Sequence, residues 1–525
     1  MSQSKAKKSF FNVLTGTFGQ FLSYLLSFAI RSVFIKTLGE LYLGLNGLFT
    51  NILSVLNLTE LGLGTAIVIE LYRTVAKKDE EKTKQYLELY KRVHYVMGLI
   101  IFGLGLIFTP FLHYLINDHE TLGLINYRLI FVLYLINTVF SYFFYAGRQC
   151  VLDADQAEYK ARIITYGFKV MEMILQVITL LVFKNIYVYL IIPIVLTCTS
   201  KIVKGVLIGK WYPFVKEKPE GKLTKEEKRE TWKNVGAVAL YKVSGVVINS
   251  TDNIIISSFI SIILTGLYSN YLIIVAAIKT MLEKCFSAFT ASLGHLNVEQ
   301  GDKVEHKYFI FKTISFMNFW FYGFCGVCLY VLFTPFIKFW IGEEFLLNHL
   351  TEVFIVLNFL VFGLQETMGT HRAAYGLFQK GKYRPLFTVV LNIGISILFV
   401  KILPAEYGVV GVLIGTILSN LLVAWWFDAL IVHKHAFNTS PKKYYITYWL
   451  RFIFICVIGF GLKCVCSFIS ISPIVDFIIY AGICTIVFNG IFIVLFNKTE
   501  EFKYFRAALK NVFKKKSLKR NNKKI

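Results

Sequence analysis

The sequence predicts an all-α integral membrane protein of about fourteen transmembrane helices, arranged as two pseudo-symmetric six-helix lobes followed by two C-terminal helices, with both termini in the cytoplasm. Three observations predict this: long uncharged apolar runs, a one-sided distribution of basic residues, and an internal repeat.

Of the 525 residues, 56% are hydrophobic and only 17% are charged. Soluble chains carry about 45–50% apolar and about 25% charged residues. Here the excess is gathered into runs such as Val93–Ile116, Ile163–Phe183, Ile186–Val206 and Val475–Phe496. Each is about 20 residues long, which spans a hydrocarbon core of about 30 Å at 1.5 Å per residue. A helix meets its backbone hydrogen bonds within one segment, so it can cross lipid. The short alternating strands of a membrane barrel are absent from the pattern. Phe10–Ile35 is too long for a signal-peptide core and lacks a small-residue cleavage site, so it is read as the first span.

The net charge of +24 is mostly a topology signal. Of the 56 lysines and arginines, 42 lie in the termini and in alternate connections: Glu70–Val93, Arg148–Arg162, Gly209–Lys233, Gly294–Lys312, Arg372–Arg384 and His433–Tyr445. The intervening connections hold 3, Lys184, Lys338 and Lys401. The positive-inside rule places the first set in the cytoplasm. Near the C-terminus, Phe502, Phe505, Leu509, Val512 and Phe513 recur at helical spacing among basic residues. That pattern predicts an amphipathic helix on the inner leaflet, ahead of a basic run from Lys514 to Ile525.

An offset of 222 residues aligns the two halves. Asn12-Val13 falls on Asn234-Val235, and Leu43-Gly44-Leu45 falls on Thr265-Gly266-Leu267. The predicted divisions are an N-terminal lobe (1–220), a C-terminal lobe (221–440), two further spans (441–497) and a basic tail (498–525). Six spans per repeat is an even number, so the repeats enter the membrane in the same sense. Transporters built from such parallel repeats place the substrate between them.

Charged groups inside spans cost about 2.5–3.5 kcal/mol each on insertion scales, so they normally face protein or water. On span 1, Gln20, Tyr24, Ser27 and Arg31 share a face. On span 7, Lys242, Asn249 and Asn253 share one. The offset superposes Gln20 on Lys242, Ser27 on Asn249 and Arg31 on Asn253. Span 2 adds Asn46, Thr50, Asn57 and Glu60, and span 8 adds Tyr268, Lys279 and Glu283, with Lys279 falling on Asn57. These stripes predict a substrate cavity whose cations would be Arg31, Lys242 and Lys279, suited to phosphate oxygens. Glu60, Asp252, Glu283, Glu366 and Arg372 are candidates for coupling or gating. A structural reading stands beside each: interhelical ion pairs for Arg31, Lys242 and Asp252, local pairs for Lys279 with Glu283 and Lys169 with Glu172, and a pair or a cavity role for Glu366 and Arg372. Lys201 and Lys204 are expected to snorkel, and Asp428 and Asp476, near span ends, to be exposed.

Catalysis finds little support. The sequence lacks HExxH, GxSxG and a P-loop. Asp153-Ala-Asp155 has no accompanying acid or nucleotide motif. Cys325-Gly-Val-Cys328 lies in an apolar run without a second ligand pair, so both cysteines read as small helix residues. No metal, no cofactor and no nucleic-acid partner are expected.

Arg31-Ser-Val-Phe-Ile-Lys-Thr-Leu-Gly39, Tyr42-Leu-Gly-Leu45 and Thr59-Glu-Leu-Gly-Leu-Gly-Thr-Ala66 resemble the opening of Wzx-type polysaccharide flippases. These belong to the multidrug/oligosaccharidyl-lipid/polysaccharide (MOP) exporter superfamily. Val247-Ile-Asn-Ser-Thr-Asp-Asn-Ile-Ile-Ile256 and His371-Arg-Ala-Ala-Tyr-Gly-Leu-Phe378 resemble the same group. The resemblance implies alternating-access export of undecaprenyl-pyrophosphate-linked oligosaccharide repeat units across the bacterial cytoplasmic membrane. It also implies a cavity-lining arginine at Arg31, and partners among membrane lipids, polysaccharide polymerases and glycosyltransferases. Ser32 stands where the peptidoglycan-precursor flippases have an aspartate. Three alternatives stay open. A peptidoglycan-precursor or sporulation-linked flippase is one. An organic-cation antiporter, which calls for deep acidic residues in the first lobe, is another. The third is a non-transporting scaffold or polymerase partner.

Overall fold

A computed structural model describes residues 2–57, 60–117, 123, 125–145, 147–233, 236–299, 304–507 and 510. No strand occurs among them. Packing divides the chain into two compact units, Met1–Ser269 and Asn270–Ile525.

In the first unit the apolar runs fold into helices whose ends are set by local chemistry. α1 (Ser2–Leu38) and α2 (Glu40–Leu56) are separated by Gly39 alone. Its φ of 86° lies in the left-handed region that glycine enters freely. α3 (Glu60–Lys77) leads to α4 (Glu80–Phe108), where Asp79 accepts the N–H of Lys82 at the helix start. α5 (Tyr127–Phe143) and α8 (Ile186–Trp211) begin the same way, on Asn126 and Asn185. Such caps contribute about 0.5–2 kcal/mol each. Between them lie the short α6 (Arg148–Ala154) and the long α7 (Glu158–Phe183). α9 (Lys225–Lys233) and α10 (Gly236–Phe259) follow.

α1 packs along α7, and α10 packs on α2 and α3. The second contact carries the unit past residue 220, where the sequence offset leads one to expect the first lobe to end. α2 also crosses the start of α11 (Ile262–Glu299). A Cβ on Gly44 would overlap the carbonyl of Ile262, and one on Gly266 would stand 2.9 Å from Gly44 N and 3.2 Å from Glu40 O. The contact is reciprocal under the 222-residue offset, which carries Glu40 to Ile262 and Gly44 to Gly266. Glycines let backbones approach where lipid offers no hydrophobic drive for association.

The basic connection Gly209–Lys233 is docked on the unit. Glu81 accepts the N–H groups of Glu220 (2.7 Å) and Gly221 (3.2 Å), and Lys84 reaches Glu217 at 3.3 Å. Leu223 is buried in a cluster with Ile67, Leu71, Tyr86, Leu87, Cys150 and Val151. The Lys82 ammonium and the Thr224 N–H hold the Glu227 carboxyl below the usual carboxylate range.

The second unit is organised around α12 (Val304–Trp340), which packs on α13 (His349–Gly363), α18 (Lys442–Ser467) and α19 (Pro473–Phe496). α14 (Glu366–Ala374) precedes the close pair α15 (Arg384–Ile402) and α16 (Gly408–Ser419). There Gly411 lies against the Phe399 backbone and Gly415 against Ser396. α17 (Trp426–Val432) sits between two π-helical segments, Asn420–Trp425 and His433–Phe437. Residues 500–507 are helical. Phe502 and Phe505 lie 5.8 and 5.9 Å from the Trp320 ring, so this stretch seats on α12. The spacing had predicted a helix on the leaflet; aromatic partners within the protein compete for the same face. Leu509, Val512 and Phe513 lie outside the described residues.

Eleven described helices are long and apolar enough to cross a membrane, or twelve if the bent pair α5–α6 is one span. The other helices in the count of fourteen are α2, with 17 residues, and α10, which carries Lys242, Asn249, Asp252 and Asn253. Large apolar side chains stay exposed along the spans, Leu99 at 58% and Ile486 at 74% among them, as lipid contact requires. The chain is a multi-pass integral membrane protein.

Candidate functional site

In the first unit the polar residues gather around Arg31. α1 presents Gly16 and Gly19 to Arg162 and Tyr166 of α7. Arg31, near the far end of α1, is 7% exposed, and its guanidinium donates to Ser269 Oγ. Ser269 in turn donates to Gly266 O at 2.6 Å, which ties the arginine to the glycine crossing. The Tyr134 and Tyr189 hydroxyls lie within electrostatic reach of the guanidinium. Neither tyrosine carries a mark in the sequence, because an aromatic residue in an apolar run does not reveal its partner.

The predicted stripes divide. Asp252, Asn253 and Tyr268 are buried, at 5%, 2% and 1% exposure. Asn253 Oδ1 is buried and accepts no hydrogen bond from a described residue. Lys242 and Asn249 are exposed, and Asn249 turns back to the Gly245 carbonyl at 2.7 Å. Gln20, Tyr24 and Ser27 are half-buried, with Ser27 donating to Ser23 O. On α2, Asn46 and Asn57 accept hydrogen bonds from Tyr134 (2.9 Å) and Tyr142 (3.2 Å) of α5. The Glu60 side chain lies outside the described residues.

In the second unit, Lys279 and Glu283 form the expected local pair, at 3.8 Å, and both are partly exposed. Glu366 feels the charges of both. Arg372 has another partner: it and Arg384 both bind the carboxylate of Asp428, with Arg384 Nε 3.2 Å from Oδ1. Asp428 is buried, contrary to the exposure expected near a span end, because two cations from other elements converge on it. Asp476 is also buried, where it accepts the Ile471 N–H. In the first unit Lys204 is buried too, and its ammonium donates to Thr165 at 3.0 Å where snorkelling was expected. Lys169 does pair with Glu172, at 2.6 Å.

Three further polar groups went unmarked in the sequence. Glu352 is 4% exposed and accepts from Tyr271 (2.9 Å) and Thr334 (3.0 Å). Lys463 approaches the same Thr334 at 3.4 Å, and Arg451 donates to Ser315. Charges within otherwise apolar runs were the signal that could have found them. In the Asp153-Ala-Asp155 segment, Asp155 binds Lys8 (2.9 Å) and Tyr212 (2.6 Å). Among the described residues no group of three or more metal-ligating side chains converges.

Residues 17–178 match the MatE family. No curated protein matches the sequence. Among solved structures, the lipid II flippase MurJ in its inward closed conformation is similar with a TM-score of 0.66 at 16% identity, over 92% of this chain and 99% of that one. A multidrug resistance MATE family transporter of the MOP superfamily, facing inward, gives 0.58 at 15% identity, over 78% and 94%. The Vibrio cholerae MATE transporter VcmN gives 0.52 at 18% identity, over 81% and 96%. These likenesses show a MOP-type transporter fold, and the proteins that share it are transporters and a flippase.

Proposed function

We propose, from this transporter fold, that the protein is a flippase. Its substrate would be an undecaprenyl-pyrophosphate-linked oligosaccharide repeat unit, moved from the cytoplasmic to the outer leaflet of the bacterial cytoplasmic membrane. The observation that carries the reading is Arg31, a guanidinium held at 7% exposure in the first unit among hydroxyls of Ser269, Tyr134 and Tyr189. A guanidinium offers five donors in a fixed fork that matches phosphate oxygens. The motif resemblance around Arg31 and the fold shared with a lipid flippase support the same substrate class. A prenyl chain can remain in lipid throughout, whereas a diphosphate and sugars need a polar path. Two lobes of six spans would alternate access around that path, driven by an ion gradient or the membrane potential, since the sequence holds no nucleotide-binding motif.

The MurJ likeness over nearly both full lengths favours one second reading, a peptidoglycan-precursor flippase. The two are separated by complementation. The proposed function requires restored surface polysaccharide in a strain lacking its repeat-unit flippase, with inner-leaflet accumulation of the lipid-linked unit when Arg31→Ala is supplied at normal protein level. Arg31→Lys should retain part of the activity. Unchanged polymer with Arg31→Ala would remove the arginine from the mechanism, and rescue of a lipid II flippase mutant alone would select the second reading.

A further inference from the structure

Within the first unit a cavity of about 960 Å³ opens where α4, α5 and α8 meet the docked connection Gly209–Lys233. It is separate from the Arg31 cluster. Eight lysines and arginines line it against three carboxylates. Three of those cations are already engaged: Lys84 with Glu217, and Lys91 and Arg92 with Glu88. The other five, Arg148, Lys216, Lys218, Lys222 and Lys228, form no ion pair with any described residue.

Two of these are brought together by the backbone. Arg148 donates to the Gly205 carbonyl at 2.8 Å and lies over the Tyr145 ring at 4.5 Å. A Cβ on Gly209 would stand 3.1 Å from Arg148 Nη1 and 2.8 Å from Lys216 Cε, so the two side chains share one wall. Like charges on one wall repel, and an anion between them removes the cost. The lining also has an apolar part, with Tyr95, Phe143, Phe144 and Ile202. Tyr95 continues into the outward face of α4, where Val96, Leu99 and Ile100 are 40% or more exposed, and Ile202 into Val206 on α8. A cleft lined by cations that form no ion pair among the described residues, and continuous with the lipid-facing surface of two spans, matches an amphiphile. Basic pockets of this kind between spans hold anionic headgroups.

We propose that this cleft binds the phosphate-bearing headgroup of an anionic phospholipid from the leaflet on the basic side, with its acyl chains lying along α4 and α8. The docked connection is then part of a lipid site, held in place by Glu81 and Leu223. The site is distinct from the route of the transported substrate, so it stands or falls separately from the flippase reading.

The test uses the full chain purified in detergent, with bound lipid counted by native mass spectrometry and affinity read from titration with fluorescent phosphatidylglycerol. The wild type should bind phosphatidylglycerol at least ten-fold more tightly than phosphatidylcholine. Lys218→Gln/Lys222→Gln/Lys228→Gln, three exposed positions, should lose at least ten-fold in phosphatidylglycerol affinity with an unchanged melting temperature. Arg148→Gln/Lys216→Gln should do the same through the other wall. Arg31→Ala should retain wild-type binding. Equal affinity for the two lipids, full binding by both sets of variants, loss of binding with Arg31→Ala, or equally strong competition by glycerol phosphate without acyl chains would each overturn the proposal.

Discussion

Gly44→Ala tests whether the α2–α11 crossing is as close as the structure places it. In an exposed helix, glycine to alanine stabilises by about 0.8–1 kcal/mol through backbone entropy. Here the new methyl would overlap the Ile262 carbonyl oxygen and lie 2.8 Å from its carbonyl carbon, where ordinary contact begins at 3.4 Å. The obstruction is backbone, so no side chain can swing away. The carbonyl oxygen is the nearer obstacle, so the helices must part by about 1 Å or more, forfeiting about half of their local contact energy. Overpacking of this kind costs about 1–3 kcal/mol, which exceeds the propensity gain. Gly103→Ala and Gly482→Ala are controls, because nothing lies within 4 Å of a Cβ at either position. Thermal unfolding of the detergent-purified protein, followed by size-exclusion fluorescence, should show Gly44→Ala melting lower than wild type by several degrees. The controls should melt at or above wild type. Gly266→Ala should follow Gly44→Ala, since its Cβ would meet Gly44 N and Glu40 O. If Gly44→Ala melted with the controls, the crossing would be looser than described and the reciprocal contact would lose its meaning.

Two other outcomes can be checked by the same thermal assay. Asp428→Asn removes the carboxylate that two largely buried guanidiniums share and should destabilise by about 3–5 kcal/mol. Arg372→Gln or Arg384→Gln leaves Asp428 one partner and should cost less. Asp155 should give a pH signature. Burial opposes its ionisation, but hydrogen bonds from Tyr212 and Lys8 outweigh burial and hold the carboxyl below the usual range. A depressed value means that the stabilisation is fully present above the unfolded value of about 3.9 and is lost as pH falls through the folded value. The melting difference between wild type and Asp155→Asn should therefore be constant above about pH 5 and shrink below about pH 4; a difference that persists unchanged at pH 3 would contradict the assignment.

The sequence marks the helices well, because a run of about 20 apolar residues has few other uses. It marks local pairs equally well. Lys169 with Glu172, and Lys279 with Glu283, follow from a spacing of three or four on one helix. It does not mark partners brought together by packing. Asp428 finds Arg372 and Arg384 from 56 and 44 residues away, and Lys204 finds Thr165 from 39. Span-end position argued for exposure in these cases, and tertiary proximity won. The docked connection was hidden for a similar reason: Glu81, 139 residues before Glu220, reads as one more charge in a basic segment. Around Arg31 the cation was legible, whereas Ser269 and the two tyrosines that surround it were not.

The Asp428 cluster has a consequence for biogenesis. Synthesis runs from N- to C-terminus, so Arg372 leaves the ribosome 56 residues ahead of the carboxylate that neutralises it. At about 5–20 residues per second that interval is about 3–11 s. For the last 44 residues of it, both guanidiniums of the cluster precede the carboxylate they share. The contact that ties α14 and α15 to α17 therefore forms only after the chain has been made through Asp428.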